Sequence, residues 1–201
     1  MLASGRILYP EAGCAGLSVR KVAEHAGVRP GLFHYHFGSK DEFLRAVLQG
    51  VYEDVFAALC AAAQTPGSPA QRLREVLVLL GRFLREQGSV IGRIVTDVAQ
   101  GEPAARDFLR ANAPRHLALL TGLMEEAERA RELAPMEPLR RMGFVMGAVA
   151  APVLMGRGLM ALQAEHPLLA TRVGPDLLSD EAIAARVDLA MAALRAGKDT
   201  R

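Results

Sequence analysis

Tryptophan is absent from this 201-residue chain, and 3 Tyr and 7 Phe are its only other aromatics. With 51% hydrophobic residues dominated by Ala and Leu, that poverty favours packed helices over aromatic-rich, β-branched strands. Cysteine is nearly absent as well. Cys14 and Cys60 stand far apart without C-x-x-C or metal spacing, which excludes a disulfide framework and a zinc knuckle. The expected state is two reduced thiols in a cytoplasmic protein, a redox-sensing pair being the alternative. Strong charge is missing too: the net charge is +2, so any affinity for nucleic acid must come from local basic clustering. No basic segment followed by an apolar stretch opens the chain, which argues against a secretory signal. The one membrane-like run, Met142–Gly156, has fifteen uncharged residues interrupted by Pro152, short of the ~20 that span a bilayer. No membrane partner is therefore expected. Catalytic signatures are lacking: there is no G-x-S-x-G, Walker loop or H-E-x-x-H. His34 and His36, two residues apart on a helix, point away from each other and are a poor metal pair. These absences predict no enzyme, no cofactor and no metal site.

What is present centres on Ser18–Lys40. Val19, Val22 and Ala23 recur at helical spacing behind Ser18, a good N-cap. Gly27 can take the left-handed conformation that stops that helix, and Pro30 suits the first turn of a second. Two helices joined by a short Gly-containing turn make a helix-turn-helix, whose second helix can lie in a major groove. Arg20, Lys21, Arg29, His34, Tyr35, His36 and Lys40 crowd this stretch against the acid Glu24. Such groups neutralise phosphate and supply sequence-independent affinity for DNA. The plainer reading is a solvated basic face over an ordinary core.

The rest reads as helices throughout. Residues 1–9 predict a short first helix that offers Leu2, Ile7 and Leu8 to a core and is ended by Pro10 and Gly13. Ser39 and Glu42 form a capping box that opens a helix from Lys40 to about Ala63, with Phe43, Val47, Val51, Val55 and Leu59 on one face. Ser68 and Gln71 form another, followed by a helix to Glu86 closed at Gly88 and a separate shorter one over Val90–Ala99. A segment from Pro103 to about Glu132, a helix from Leu139 to about Glu165, a loop rich in breakers (His166-Pro167, Gly174-Pro175) and a last helix from Ser179 to about Arg195 complete the chain. The expected fold is all-α, with about nine helices. Three form a DNA-binding head over residues 1–45, and six form a larger ligand-binding and dimerisation body over residues 46–201.

The run LSVRKVAEHAGVRPGLFHYHFGSKDEFLRAV resembles the DNA-binding head of TetR/AcrR-type bacterial regulators. There, a helix opened by Ser or Thr precedes AGV and a G-x-[LF]-[YH]-[YH]-HF-x-SK run. The likeness covers roughly residues 2–50; the remainder is similar only in being helical and apolar. It implies a ligand-responsive transcriptional regulator, by family default a repressor, that binds an operator as a homodimer in the cytoplasm. Carried over by position, Ser18 meets a phosphate, and Arg20 points toward base edges, where guanine offers O6 and N7. Arg29 contacts base or phosphate, Leu32 and His34 face the groove, and Tyr35, His36 and Lys40 fix register on phosphates, with Lys21 in the same basic cluster. His34 stands where the family often has Tyr, and Phe33 where it often has Leu. The family's first helix is usually longer, often behind a basic arm, so either no arm precedes this head or the true start lies upstream.

The resemblance also implies an effector pocket in the body. Phe83, Val95, Leu120, Met124, Phe144 and Met155 are its apolar candidates, and Asp97, Asn112 and His116 its polar anchors. The scarcity of buried charge points to a small apolar or amphipathic effector. The last two helices are the expected dimer seam, where Gly143, Gly147, Ala148 and Ala151 permit close approach and Ala190 and Met191 face the partner. The rival reading is a helical small-molecule-binding module without operator binding. Operator sequence, effector identity and the sign of regulation are not encoded in any motif.

Overall fold

The structure, a computed structural model, describes residues 1–160 and 166–195. Its helices are α1 Leu2–Gly16, α2 Val19–His25, α3 Pro30–His36, α4 Lys40–Ala63, α5 Pro69–Ala99, α6 Pro103–Arg129, α7 Pro138–Met160, α8 Pro167–Val173 and α9 Asp180–Leu194. A π-helical turn, Gly174–Leu178, joins the last two. Nine α-helices among the described residues match the expected number, but only because two differences offset each other. The predicted break at Gly88 does not occur, and α5 runs through it as one helix of 31 residues. A glycine costs a helix roughly 1 kcal/mol, too little to end one that buries Leu73, Val76, Leu77, Leu80 and Leu84 in its first half. Conversely, the stretch read as a loop holds α8, with Pro167 in its first turn. The expected end of α7, 161–165, lies outside the described residues.

α1 also departs from expectation. Pro10 lies inside it, and the chain stays helical to Gly16 apart from Gly13, at φ +62° and ψ −172°. Pro10 removes one donor without ending the helix; the break falls where only glycine tolerates the backbone. The buried residues of α1 are Ser4, Gly5, Tyr9, Gly13 and Cys14, whereas Leu2 and Ile7 are exposed.

The chain forms two compact units. One is Met1–Ala57 with Ser89–His116, and the other is Ala58–Gly88 with Leu117–Arg201. In the first, Tyr9, Leu17, Val22, Phe33, Phe43, Leu44, Val47 and Leu48 share one core with Val90, Ala104 and Ala105 of α5 and α6. A head of three helices buries little surface by itself, and these added segments enlarge its core. In the second unit, α7 packs on α9, and Val145, Val149 and Val153 lie under the same cover as Ile183, Val187, Ala190, Met191 and Leu194. Arg141 is 1% exposed there, donating to Ala134 O at 2.9 Å and to the Glu128 carboxylate. A buried cation needs such partners, since an unpaired one would carry several kcal/mol of desolvation.

α4 and α7 are long and apolar enough to cross a membrane by length and composition, with mean hydropathies of 1.3 and 1.5. One apolar stripe of each faces the protein's own core, at Phe43, Leu44, Val47 and Leu48 in α4 and at Val145, Val149 and Val153 in α7. Both capping boxes form, in different ways. Ser68 and Gln71 satisfy each other's backbone NH at 2.8 and 3.3 Å. Glu42 NH meets Ser39 Oγ, but the Glu42 carboxylate reaches one residue further back, to Gly38 NH at 2.9 Å.

Candidate nucleic-acid interface

The local chemistry of residues 18–40 builds a compact two-helix unit. Ser18 Oγ accepts from Lys21 NH at 3.2 Å, capping α2. At the other end Gly27 takes φ +66°, letting Val28 NH reach back to Ala23 O at 3.0 Å. Pro30 opens α3. Phe33 is the buried anchor of that helix, with its ring 5.4 Å from Phe37 and 5.0 Å from Phe43. Val22 and Ala23 are buried beside it in the same core.

Burial of Phe33 turns the opposite side of α3 outward. Tyr35 is 83% exposed and Leu32 43%. Ser18, Arg20, Lys21, Arg29, His34 and His36 are exposed, and Lys40 is half-buried. All nine residues expected to meet DNA therefore stand on α2 and α3, their N-caps and the first position of α4, and none is sealed in a core. Two of them have a further role that spacing did not reveal. Lys40 Nζ donates to Ala15 O at 3.1 Å, and Lys21 Nζ to Gly16 O at 3.5 Å, so both ammonium groups sit at the C-terminal end of α1, where a helix is electronegative. An ammonium has three donors, so a lysine bonded to one carbonyl still has donors to offer a phosphate.

The nine residues expected to hold an effector divide between the two units, Val95, Asp97, Asn112 and His116 in the first and Phe83, Leu120, Met124, Phe144 and Met155 in the second. Val95, Phe144 and Met155 are exposed at 64%, 43% and 57%, because the packed faces of α5 and α7 are the neighbouring ones. Leu120 and Met124 are buried and Phe83 half-buried. Asn112 is buried but occupied: its amide donates to Gln49 Oε1 at 2.8 Å and to Phe108 O at 2.9 Å. His116 is half-buried 6.2 Å from the Tyr52 ring, and burial pushes its imidazole below the ordinary value.

Asp97 differs most from its expected role as a ligand anchor. It is fully buried, and its Oδ2 accepts from Tyr9 Oη at 2.8 Å and Cys14 NH at 2.9 Å. Its Oδ1 takes the Arg93 guanidinium at 2.8 and 2.9 Å. Both oxygens are used, so this carboxylate ties α1 to α5 rather than facing a cavity. Gly13 is part of the arrangement: a Cβ there would run into the Arg93 guanidinium. Burial alone would raise the Asp97 carboxyl; the bonds from Cys14 NH, Tyr9, the Cys14 thiol and Arg93 outweigh it and hold the group below the usual carboxylate range. Burial and the same carboxylate push the Cys14 thiol up to about 12, so it is protonated and unreactive at neutral pH. Cys14 and Cys60 are both free. The i,i+4 spacing of Arg93 and Asp97 was visible in the sequence; Tyr9 and Cys14 carried no signal of it.

Residues 2–47 match the sequence profile described as bacterial regulatory proteins, tetR family. Among curated relatives, the HTH-type transcriptional regulator BetI 2 of Chromohalobacter salexigens is 31% identical over 77 residues, which is 38% of this chain and 37% of that protein. The match spans less than two thirds of the length of the first such relatives. Among solved structures, the regulator FadR of Bacillus subtilis in complex with stearoyl-CoA superposes with a TM-score of 0.69 at 15% identity, covering 96% of this chain and 97% of that one. The ketosteroid regulator KstR2 of Mycobacterium tuberculosis gives 0.66 at 16% identity, covering 96% and 92%. At such identities these two likenesses are of fold.

Proposed function

We propose that this chain, whose residues 2–47 match the bacterial tetR family of regulatory proteins, is a ligand-responsive, DNA-binding transcriptional repressor. The observation that carries this reading is the outward face of α2 and α3, basic and aromatic, held out by the burial of Phe33. In this reading Arg20, Arg29, Leu32 and His34 address base edges, while Ser18, Lys21, Tyr35, His36 and Lys40 hold phosphates. Footprinting of the region upstream of its own gene tests it. Two protected half-sites one or more helical turns apart, about 34–36 Å per turn, are expected, with affinity falling steeply as salt rises. No protection at low salt would defeat the proposal.

The protein acts in the cytoplasm as a homodimer rather than as an enzyme. Support for a partner copy comes from α7, where Leu139 is 84% exposed alongside exposed Gly143, Phe144, Gly147, Ala151 and Met155, and from Leu189 of α9, 71% exposed. A patch this apolar on one face is rare on a monomer. Of the residues expected to face the partner, Ala190 and Met191 are buried in the chain's own core, so the proposed seam takes Leu189 beside them, which turns outward. Gly147 has nothing within 4 Å of a built Cβ, so Gly147→Glu leaves the monomer fold intact while placing a charge in the seam. Sedimentation velocity is expected to show a dimer for the parent chain and a monomer for the variant; an unchanged dimer would move the interface elsewhere.

The effector is a small apolar or amphipathic molecule. Leu73, Leu77, Leu120 and Met124 make the interior of the second unit apolar, and the fold neighbours carry a fatty acyl-CoA in one case and a ketosteroid name in the other. α4, α5 and α6 each begin in one unit and end in the other, so a ligand-selected change in the second unit has three continuous helices by which to alter the head. By linkage, operator DNA weakens effector binding by the same factor.

A further inference from the structure

We propose that Asp97 is a positioning residue for DNA binding: through the last turn of α1 it sets where the Lys40 ammonium stands. The inference rests on the DNA-binding reading above, in which Lys40 holds a phosphate, and adds to it a residue that touches no DNA. Its starting point is the break in α1. Gly13, at φ +62° and ψ −172°, separates residues 14–16 from the helical residues before it, so that short turn is not carried rigidly by the rest of the helix. In an unbroken helix Cys14 NH would bond the carbonyl four residues back; here it donates to Asp97 Oδ2 at 2.9 Å. The fit is close, since a Cβ on Gly13 would run into the Arg93 guanidinium that Asp97 also holds. The turn is thereby placed from α5.

That placement is handed on to the DNA-facing side. Cys14 and Leu17 are buried, and Ala15 and Gly16 between them are exposed. Carbonyls at a helix C-terminus have no partner within the helix. Ala15 O accepts from Lys40 Nζ at 3.1 Å, and Gly16 O lies 3.5 Å from Lys21 Nζ. Asp97, Cys14 and Lys40 thus form a short path from α5, through the end of α1, to the first residue of α4, all within one compact unit. The residue types suit it. Lys21 and Lys40 are the chain's only lysines besides Lys198, and every other basic position, histidines aside, is arginine. An ammonium can keep one of its three rotatable donors on a carbonyl and turn the others to a phosphate, a division that a planar guanidinium fork suits less well. Without the Asp97 acceptor, Cys14 NH loses its partner, the turn is free to shift, and the Lys40 ammonium shifts with it.

Binding of the full chain to a short duplex of arbitrary sequence, measured against salt, tests this, because phosphate contacts do not depend on sequence. Lys40→Met is expected to lower the slope of log K against log salt by about 0.9 per head. Asp97→Ala, measured well below its melting temperature, is expected to lower it by the same amount, and the two together by no more than either alone. Asp97→Leu, which fills the space, takes its place if the alanine variant does not fold. Asp97→Asn provides the rescue: its amide oxygen still accepts from Cys14 NH, so the slope returns to the parent value although the stability does not. Tyr9→Phe strips Asp97 of a partner outside the turn and controls for stability alone, with a lower melting temperature and the parent slope. An unchanged slope in a folded Asp97→Ala or Asp97→Leu, additive losses in the double variant, or an asparagine variant as deficient as the alanine one overturns the inference and leaves the regulator reading standing. So does an unchanged slope in Lys40→Met. Absence of binding by the parent chain at low salt overturns the regulator reading itself.

Discussion

Asp97→Ala is expected to destabilise the protein by about 3 kcal/mol, read as a fall in melting temperature of roughly 6–12 °C for a chain of this size. The carboxylate accepts from the Tyr9 hydroxyl, the Cys14 NH and the Arg93 guanidinium, and it is fully buried. Its removal strands two buried donors, each carrying about 1–3 kcal/mol of unrecovered desolvation. Arg93 is 23% exposed on its side chain and can turn toward water, which keeps the figure at the low end of the range for broken buried pairs. Asp97→Asn should fall between parent and alanine, since an amide still accepts one bond but offers Arg93 no charge.

The pH dependence of the same network has a definite sign. Asp97 sits below its ordinary value in the folded state, so its stabilisation is present above the unfolded carboxylate value of about 3.9 and is lost as pH falls through the folded one. Tyr9 and Cys14 are raised, so their contribution is full below their unfolded values and drains away as pH rises, for Cys14 from about 8.5 toward about 12. A melting-temperature profile should therefore be flat around neutrality and drop on both sides, and Asp97→Ala should flatten the alkaline limb. A variant melting within a degree of the parent at neutral pH would show that the network contributes nothing.

The second large effect is on DNA. Arg20→Ala combined with Tyr35→Ala should weaken operator binding by at least roughly 2–6 kcal/mol per dimer, because an Arg–base contact carries ~1–3 kcal/mol and each substitution is present twice. Tyr35 is 83% exposed and Arg20 is exposed, so the melting temperature should be unchanged, which separates recognition from folding. The single variants divide the roles. A base-reading Arg20 leaves the salt slope nearly intact while relaxing preference at one base pair; a phosphate-binding Arg20 lowers the slope by about 0.9 per head. Tyr35 is a neutral donor, so its loss should weaken binding to all sequences alike without touching the slope. Full operator affinity in the double variant would remove the proposed face from recognition.

Much of this was legible in the chain alone, for reasons of range. Ser18, Gly27, Pro30 and the Ser68–Gln71 box act on backbone groups within a few residues, so their identities set the boundaries of α2, α3 and α5 without reference to the rest of the fold. The helical period of Phe43, Val47 and Leu59, or of Ile183, Val187, Ala190 and Leu194, likewise shows which face each helix buries. Breakers were the weaker guide. Gly88 and Pro10 look like stops in the sequence, yet each removes only about 1–3 kcal/mol locally, and packing on both sides of them outweighs that.

What belonged to the sequence by itself is the head's two-helix unit, its exposed basic face, and the all-helical class, because each follows from neighbours along the chain. What only the tertiary structure decided is where the polar side chains spend their bonds. Asp97 finds Tyr9 and Cys14 more than eighty positions away, Lys40 settles on Ala15 O, and Ala190 and Met191 turn inward while Leu189 turns out. Hydrogen-bond capacity is written in a residue's type, but its partner is set by which distant segments pack together, and no local pattern carries that choice.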